Sequence, residues 1–276
     1  MPIFAFQQVD VFTAVPLKGN PLAVVAGADA LTDAQMAAFA NWTNLSETTF
    51  LLKPNDARAD YRVRIFTPRR ELPFAGHPTL GSCHVWLACG GVPKAETIVQ
   101  ECGVGLVEVS QAEGRLAFAA PPLRRAGVLE PELLERVAAS LRISVDEVFA
   151  ASRLDNGAPW LGVMLESREK VLALKPDFSA MGELWVGVIG PADGWDVQFE
   201  VRGFSASEGF FEDPVTGSLN AGLAWWLIGA GLAPSRYVAG QGTALGRDGR
   251  VYVSRDGGGI WVGGDVVTCV EGTLTL

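Results

Sequence analysis

The chain has 276 residues, with 22 Lys and Arg against 31 Asp and Glu, for a formal charge of −9. That length supports one large domain or two of about 140 residues each, and 49% hydrophobic with 19% charged residues belongs to a well-cored protein rather than a disordered or coiled-coil chain. The acidic balance excludes sequence-independent nucleic-acid binding, which needs a basic surface to release counterions, and with no Lys/Arg-rich run no membrane partner is expected.

The amino terminus, MPIFAFQQVDVFTAVP, alternates apolar and polar residues and already carries Asp10, which is not the pattern of a signal peptide. Residues 7–12, 22–25, 48–52 and 61–66 have strand composition. Residues 31–42 have helical spacing after an N-cap-like position. Pro78 suits the first position of a helix, where its missing N–H costs nothing, and Gly90-Gly91 supplies the stop. Residues 106–109 with 116–119 read as a hairpin, and Ala119-Ala120-Pro121-Pro122 as a linker. A surface helix is expected over 141–149. Residues 218–227 should form a buried helix ended by Gly229, Gly231 and Pro234. Its strongly apolar part is shorter than the ~20 residues a bilayer requires, and a helix apolar on all sides belongs in a core. Residues 250–253 with 260–262 form a second hairpin, and 266–276 one more strand that returns to the first domain. The four cysteines (Cys83, Cys89, Cys102, Cys269) show no CxxC spacing, which predicts reduced, mostly buried thiols in a cytoplasmic protein.

The two halves repeat each other. Gly19-Asn20-Pro21 and Gly157-Ala158-Pro159 each precede an apolar strand. Phe74-Ala75-Gly76-His77-Pro78-Thr79-Leu80-Gly81-Ser82 matches Phe210-Phe211-Glu212-Asp213-Pro214-Val215-Thr216-Gly217-Ser218, and both lead into an uncharged helical segment. Val107-Glu108-Val109-Ser110 then matches Val251-Tyr252-Val253-Ser254. Three matches in the same order predict two pseudo-symmetric α/β domains related by duplication, each a mixed sheet curled around one buried helix. The expected boundaries are 1–120 and 121–263, with the tail 264–276 rejoining the first domain and a polar cleft between the two.

The repeated loops place His77 and Asp213 just before a helix whose free first-turn amides attract anions. Both residues also fit a bland role as N-caps. Glu47, at the entry of an apolar strand, is either a solvated strand end or, if buried, a proton shuttle. Ser82 and Ser218 follow glycine in a helix's first turn, where a hydroxyl and its N–H would bind a carboxylate. His84, two turns beyond His77, reads as structural. No metal-ligand spacing is present. No serine lies in Gly-x-Ser-x-Gly, and the glycine-rich stretch from Ala239 to Arg250 lacks Gly-Lys-[Ser/Thr]; its amides, with Gln241, are expected to border a ligand.

Asn44-Leu45-Ser46-Glu47-Thr48-Thr49-Phe50, Glu71-Leu72-Pro73-Phe74-Ala75-Gly76-His77-Pro78-Thr79-Leu80-Gly81, Glu212-Asp213-Pro214-Val215-Thr216-Gly217-Ser218 and Gln241-Gly242-Thr243-Ala244-Leu245-Gly246-Arg247 resemble the signature stretches of the phenazine-biosynthesis PhzF-like family. The resemblance implies the diaminopimelate-epimerase-like fold, a homodimer, and a cofactor-free isomerase that moves a proton on a trans-2,3-dihydro-3-hydroxyanthranilate-like carboxylate. It implies Glu47 as the acid/base, and His77 and Asp213 as groups that hold or polarise the substrate. Binding would be spread over Ser46, Gly76, Thr216, Gly217, Ser218, Gln241 and Gly242. Two other classes stand beside this one: a non-catalytic binder of small carboxylates, and an epimerase or racemase of the same fold. Racemases of this fold use paired cysteines, and here none lies beside His77 or Asp213.

Overall fold

A computed structural model describes residues 2–112, 114–205 and 210–276. The chain divides into two compact units, Met1–Ala119 with Gly263–Leu276, and Ala120–Val262.

In the first unit the order is β1 (Ile3–Val11), β2 (Asn20–Ala26), α1 (Asp33–Thr43), β3 (Thr48–Leu52), β4 (Tyr61–Phe66), β5 (Glu71–Leu72), α2 (Gly76–Ala88), β6 (Ile98–Cys102), β7 (Gly105–Ala112) and β8 (Arg115–Ala119). The second unit follows with β9 (Arg125–Gly127), α3 (Pro131–Leu141), β10 (Ala150–Asp155), β11 (Pro159–Met164), α4 (Arg168–Ala173), α5 (Phe178–Met181), β12 (Trp185–Pro191), β13 (Phe199–Ser205), β14 (Phe210–Asp213), α6 (Gly217–Gly229), β15 (Arg236–Gln241), β16 (Gly249–Asp256) and β17 (Gly259–Gly264). The chain ends in β18 (Val266–Thr275).

The duplication is visible strand by strand. β1–β2 and β10–β11 are antiparallel, β2–β3 and β11–β12 parallel, and β3–β4 and β12–β13 antiparallel. The short strands β5 and β14 pair antiparallel with β4 and β13, while β6 and β15 pair with those same strands in parallel. β18 joins β1 in the first unit just as β9 joins β10 in the second. The returning tail is therefore a strand of the first unit.

Each sheet has a helix at its centre. α2 touches β1, β2, β3, β4, β8 and β18, strands from both ends of its sheet, which is the geometry of a sheet wrapped around a rod. It has no charged residue, and its first eight residues are all buried. Gly81 is what lets it sit so close: a Cβ there would lie 2.5 Å from Leu22 and 3.0 Å from Val11. α6 is its counterpart, burying Leu219, Ala221, Leu223, Ala224 and Leu227 against β10, β11 and β16. Among the described residues no helix is long and apolar enough to cross a membrane.

Several local expectations need correction. The helix expected over 141–149 lies ten residues earlier, as α3. Pro131 starts it, its missing N–H being one of the unpaired ones anyway, and Leu134, Val137 and Leu141 form its apolar stripe. Arg142 adopts the left-handed conformation (φ 57°) and ends it, leaving only a 3₁₀ turn, Val145–Glu147, capped by Ser144. Pro78 is the third residue of α2 rather than the first, a position that also lacks an intrahelical acceptor. Of the four free thiols only Cys83 is buried, while Cys89 is exposed and Cys102 and Cys269 are half-buried. The helix expected over 31–42 is α1, Asp33–Thr43, with Thr32 as N-cap and Gln35 reciprocating. His84 bonds Thr268 of β18 at 3.0 Å, a structural role.

Candidate active site

In the first unit, α1 ends with Asn44 in the left-handed conformation (φ 53°), and the reversed chain enters β3 directly after Glu47. α2 begins behind an extended Ala75 that offers no side-chain cap, so the amides of Gly76 and His77 precede any intrahelical acceptor. Two buried hydrogen bonds hold these elements in place. Ser82 Oγ on α2 donates to Thr49 Oγ1 on β3 at 2.9 Å, and Gln100 Nε2 on β6 donates to Thr79 Oγ1 at 3.0 Å. A bidentate pair, Arg64 to Glu71 at 2.7 and 2.6 Å, ties β5 to β4 just before the His77 loop.

This scaffold brings Glu47 and His77 together. Glu47 Oε2 lies 3.5 Å from His77 Nδ1, with the carboxylate side chain 16% exposed and the imidazole 4%. Nε2 of the ring is buried with no hydrogen-bond partner among the described residues. Burial lowers the His77 pKa to about 3, and the Pro21 backbone pulls it weakly upward. The imidazole is therefore neutral near pH 7, and the contact is a carboxylate facing a neutral ring rather than an ion pair. At 3.5 Å it is longer than a good hydrogen bond. Ser46 Oγ donates to Asn20 Oδ1 at 3.3 Å, which links the Glu47 loop to Gly19-Asn20-Pro21.

In the second unit, Asp213 closes β14, and Thr216 is the N-cap of α6 without using its side chain as a cap. Thr216 Oγ1 instead donates to Asp213 Oδ2 at 2.7 Å. Gln241 braces this turn with its whole amide. Oε1 accepts from Thr216 N (3.0 Å) and Asn220 Nδ2 (2.8 Å), and Nε2 donates to Thr216 Oγ1 (2.9 Å) and the Asp213 carbonyl (3.2 Å). Its buried side chain is thus committed to shaping the Asp213 turn. Gly242 takes φ 91°, and a Cβ there would meet the Pro214 carbonyl at 2.7 Å. Beneath the turn, Arg202 holds Glu212 through two bonds of 2.9 and 2.8 Å, both side chains nearly buried, and donates to the Val171 and Leu174 carbonyls.

Neither bland capping role is realised: His77 is the second residue inside α2, and the cap of α6 is Thr216. Because both helices start on glycine, Gly76 and Gly217, the structural partner of His77 is Ser218; the motif match pairing His77 with Asp213 is offset by five residues. Ser82 accordingly lies one turn further in, fully buried on Thr49, and is no first-turn ligand. Ser218 does sit in the first turn. Its hydroxyl accepts from Trp160 Nε1 (3.0 Å) and its carbonyl from Asn156 Nδ2 (2.8 Å). In each half, then, the Gly-x-Pro segment lies beside the second residue of the central helix. No residue pattern marks Asn20 and Pro21 as neighbours of Ser46 and His77 in the first unit, or Asn156 and Trp160 as neighbours of Ser218 in the second, although the repeat points to both segments. No group of three or more metal-ligating side chains occurs among the described residues.

The model of the phenazine biosynthesis-like proteins (PhzC-PhzF) matches residues 9–272. Antisense-enhancing sequence 1 of Schizosaccharomyces pombe is 35% identical to the chain over 97% of both. The trans-2,3-dihydro-3-hydroxyanthranilate isomerase of Pseudomonas fluorescens is 34% identical over 97% of this chain and 98% of its own. The crystal structure of a PhzF-family phenazine biosynthesis protein from Enterococcus faecalis superposes over 100% of both chains with a TM-score of 0.84 and 28% identity. The doubled sheet-around-helix architecture is thus that of the diaminopimelate-epimerase-like proteins. The chain belongs to the PhzC-PhzF family of phenazine biosynthesis-like proteins, a family of isomerase type.

Proposed function

We propose that the protein is a cofactor-independent isomerase that moves a proton on a small carboxylate of the trans-2,3-dihydro-3-hydroxyanthranilate type, with Glu47 as the general acid/base. The observation that carries the reading is the Glu47–His77 pair, a sheltered carboxylate 3.5 Å from a buried imidazole. A proton shuttle must take up and return its proton at one place, and a positioned carboxylate of this kind contributes typically 10²–10⁴-fold. His77, neutral at working pH, polarises rather than protonates; its backbone amide and that of Gly76 suit a substrate carboxylate at a helix N-terminus. Asp213, oriented by Thr216 and Gln241, is assigned to holding the substrate's amine, with Gly217, Ser218 and Gly242 contributing backbone contacts. The identity to isomerases of that name supports the substrate class. The same reading carries a homodimer in the cytoplasm, and sedimentation of the purified chain tests the dimer.

The test is turnover of trans-2,3-dihydro-3-hydroxyanthranilate, followed by NMR, for the wild type, Glu47→Gln and Glu47→Asp. Conversion by the wild type, abolished in Glu47→Gln and partly kept in Glu47→Asp, is expected. Binding without conversion by the wild type would identify a carboxylate-binding protein instead. Equal rates in all three would remove Glu47 from the chemistry.

A further inference from the structure

Asp10 lies on β1 and is 2% exposed. Its Oδ2 accepts from the Gly19 amide at 2.9 Å, while Oδ1 is buried with no hydrogen-bond partner among the described residues. A buried carboxylate with one idle oxygen destabilises a fold, so stability alone does not account for an acid here. Its place in the sheet is informative. Asp10 stands opposite Pro21 in the β1–β2 register, and the amide it holds opens the Gly19-Asn20-Pro21 segment. That segment has two further contacts: Asn20 accepts from Ser46, next to Glu47, and the Pro21 backbone meets the His77 ring. The second unit has a looser, exposed counterpart. Asp155 stands opposite Pro159 and accepts from the amide of Gly157, two residues on, at 2.9 Å, and the flanking Asn156 and Trp160 contact Ser218, the structural partner of His77.

We infer that Asp10 is a positioning residue: by clamping Gly19 through a charge-assisted hydrogen bond it fixes the segment that sets the Glu47 loop and the His77 ring against each other. The inference rests on the reading of Glu47 and His77 as the working groups. Asp10→Asn keeps an acceptor for Gly19 but removes the charge that strengthens the bond. A small loss of alignment between acid/base and substrate falls on kcat, because positioning errors near an ångström cost up to about 10²-fold.

The experiment compares the wild type with Asp10→Asn by kinetics, thermal melting and long-range 1H–15N spectra of the imidazoles. The chain has only two histidines, so His84 serves as the internal reference. Expected are a fall in kcat of about tenfold or more, a KM within about twofold, an unchanged or raised Tm, and a moved His77 signal beside an unmoved His84 signal. An unmoved His77 signal, or a loss of kcat that merely follows a loss of Tm, would overturn the proposal. The spectra decide even if the wild type converts none of the substrate, an outcome that would count against the isomerase reading alone. Should Asp10→Asn fail to fold, amide exchange in the wild type decides: strong protection of Gly19 supports the clamp, and open-chain exchange refutes it.

Discussion

Moving the solution from pH 7 to pH 4 should weaken the fold through His77 in a way that one substitution removes. In the native chain burial lowers the ring's pKa to about 3, whereas in the unfolded chain it returns to about 6.5. Below pH 6.5 the unfolded state binds the proton first, so the contribution of the neutral ring is complete above that pH and is lost as the pH falls toward 3. The slope is about 1.4 kcal/mol per pH unit, or roughly 3 kcal/mol between pH 6.5 and 4. The assay is urea unfolding at half-unit steps over that range for the wild type and His77→Gln. The variant is expected to be less stable at pH 7 and to have a shallower slope by about 1.4 kcal/mol per unit. Parallel slopes would show that the ring titrates near its ordinary value in the fold, and would refute both its burial and its neutrality in the site.

Three further outcomes follow from individual contacts. Arg202→Met leaves Glu212 as an uncompensated, nearly buried carboxylate, so unfolding measurements should show a loss of about 3–5 kcal/mol. Gly242→Ala forces a side chain into a left-handed position 2.7 Å from the Pro214 carbonyl; a loss on the order of 2 kcal/mol is expected in the same assay, with a raised KM as the Gln241 brace shifts. Burial pushes the Cys83 thiol up to about 12, so its contribution to stability holds below pH 9 and is lost as the pH rises toward 12. With a thiol reagent at neutral pH, exposed Cys89 should be modified rapidly and Cys83 only on unfolding.

Much of this molecule is legible from local chemistry. β3 and β4 fall where their strand composition puts them, α6 follows from its uncharged apolar run, and the duplication survives as matched strand pairings. What failed has identifiable physical causes. α3 was displaced because its limits are set by Pro131 and by the left-handed Arg142, and no residue type announces the latter. The pairing of His77 with Asp213 followed side-chain pattern, whereas the two central helices are equivalent from their first glycines; a helix start is a property of the backbone that the motif does not encode. Ser82 looked like a ligand because glycine precedes it, yet lying one turn deeper turns it into a bond between α2 and β3. The glycine-rich stretch around Gln241 points to a ligand border, but only the fold shows that its four hydrogen bonds hold the turn that orients Asp213. Asp10 carries no local signal at all: its role depends on the β1–β2 register and on a glycine nine residues away.

The central claim is that Glu47 transfers a substrate proton, and solvent exchange tests it most directly. In D2O, trans-2,3-dihydro-3-hydroxyanthranilate with the wild-type protein should gain deuterium at the carbon that accepts the proton, and Glu47→Gln should bind the compound without labelling it. Equal deuterium incorporation by the wild type and Glu47→Gln would contradict the account and assign the proton transfer to another group.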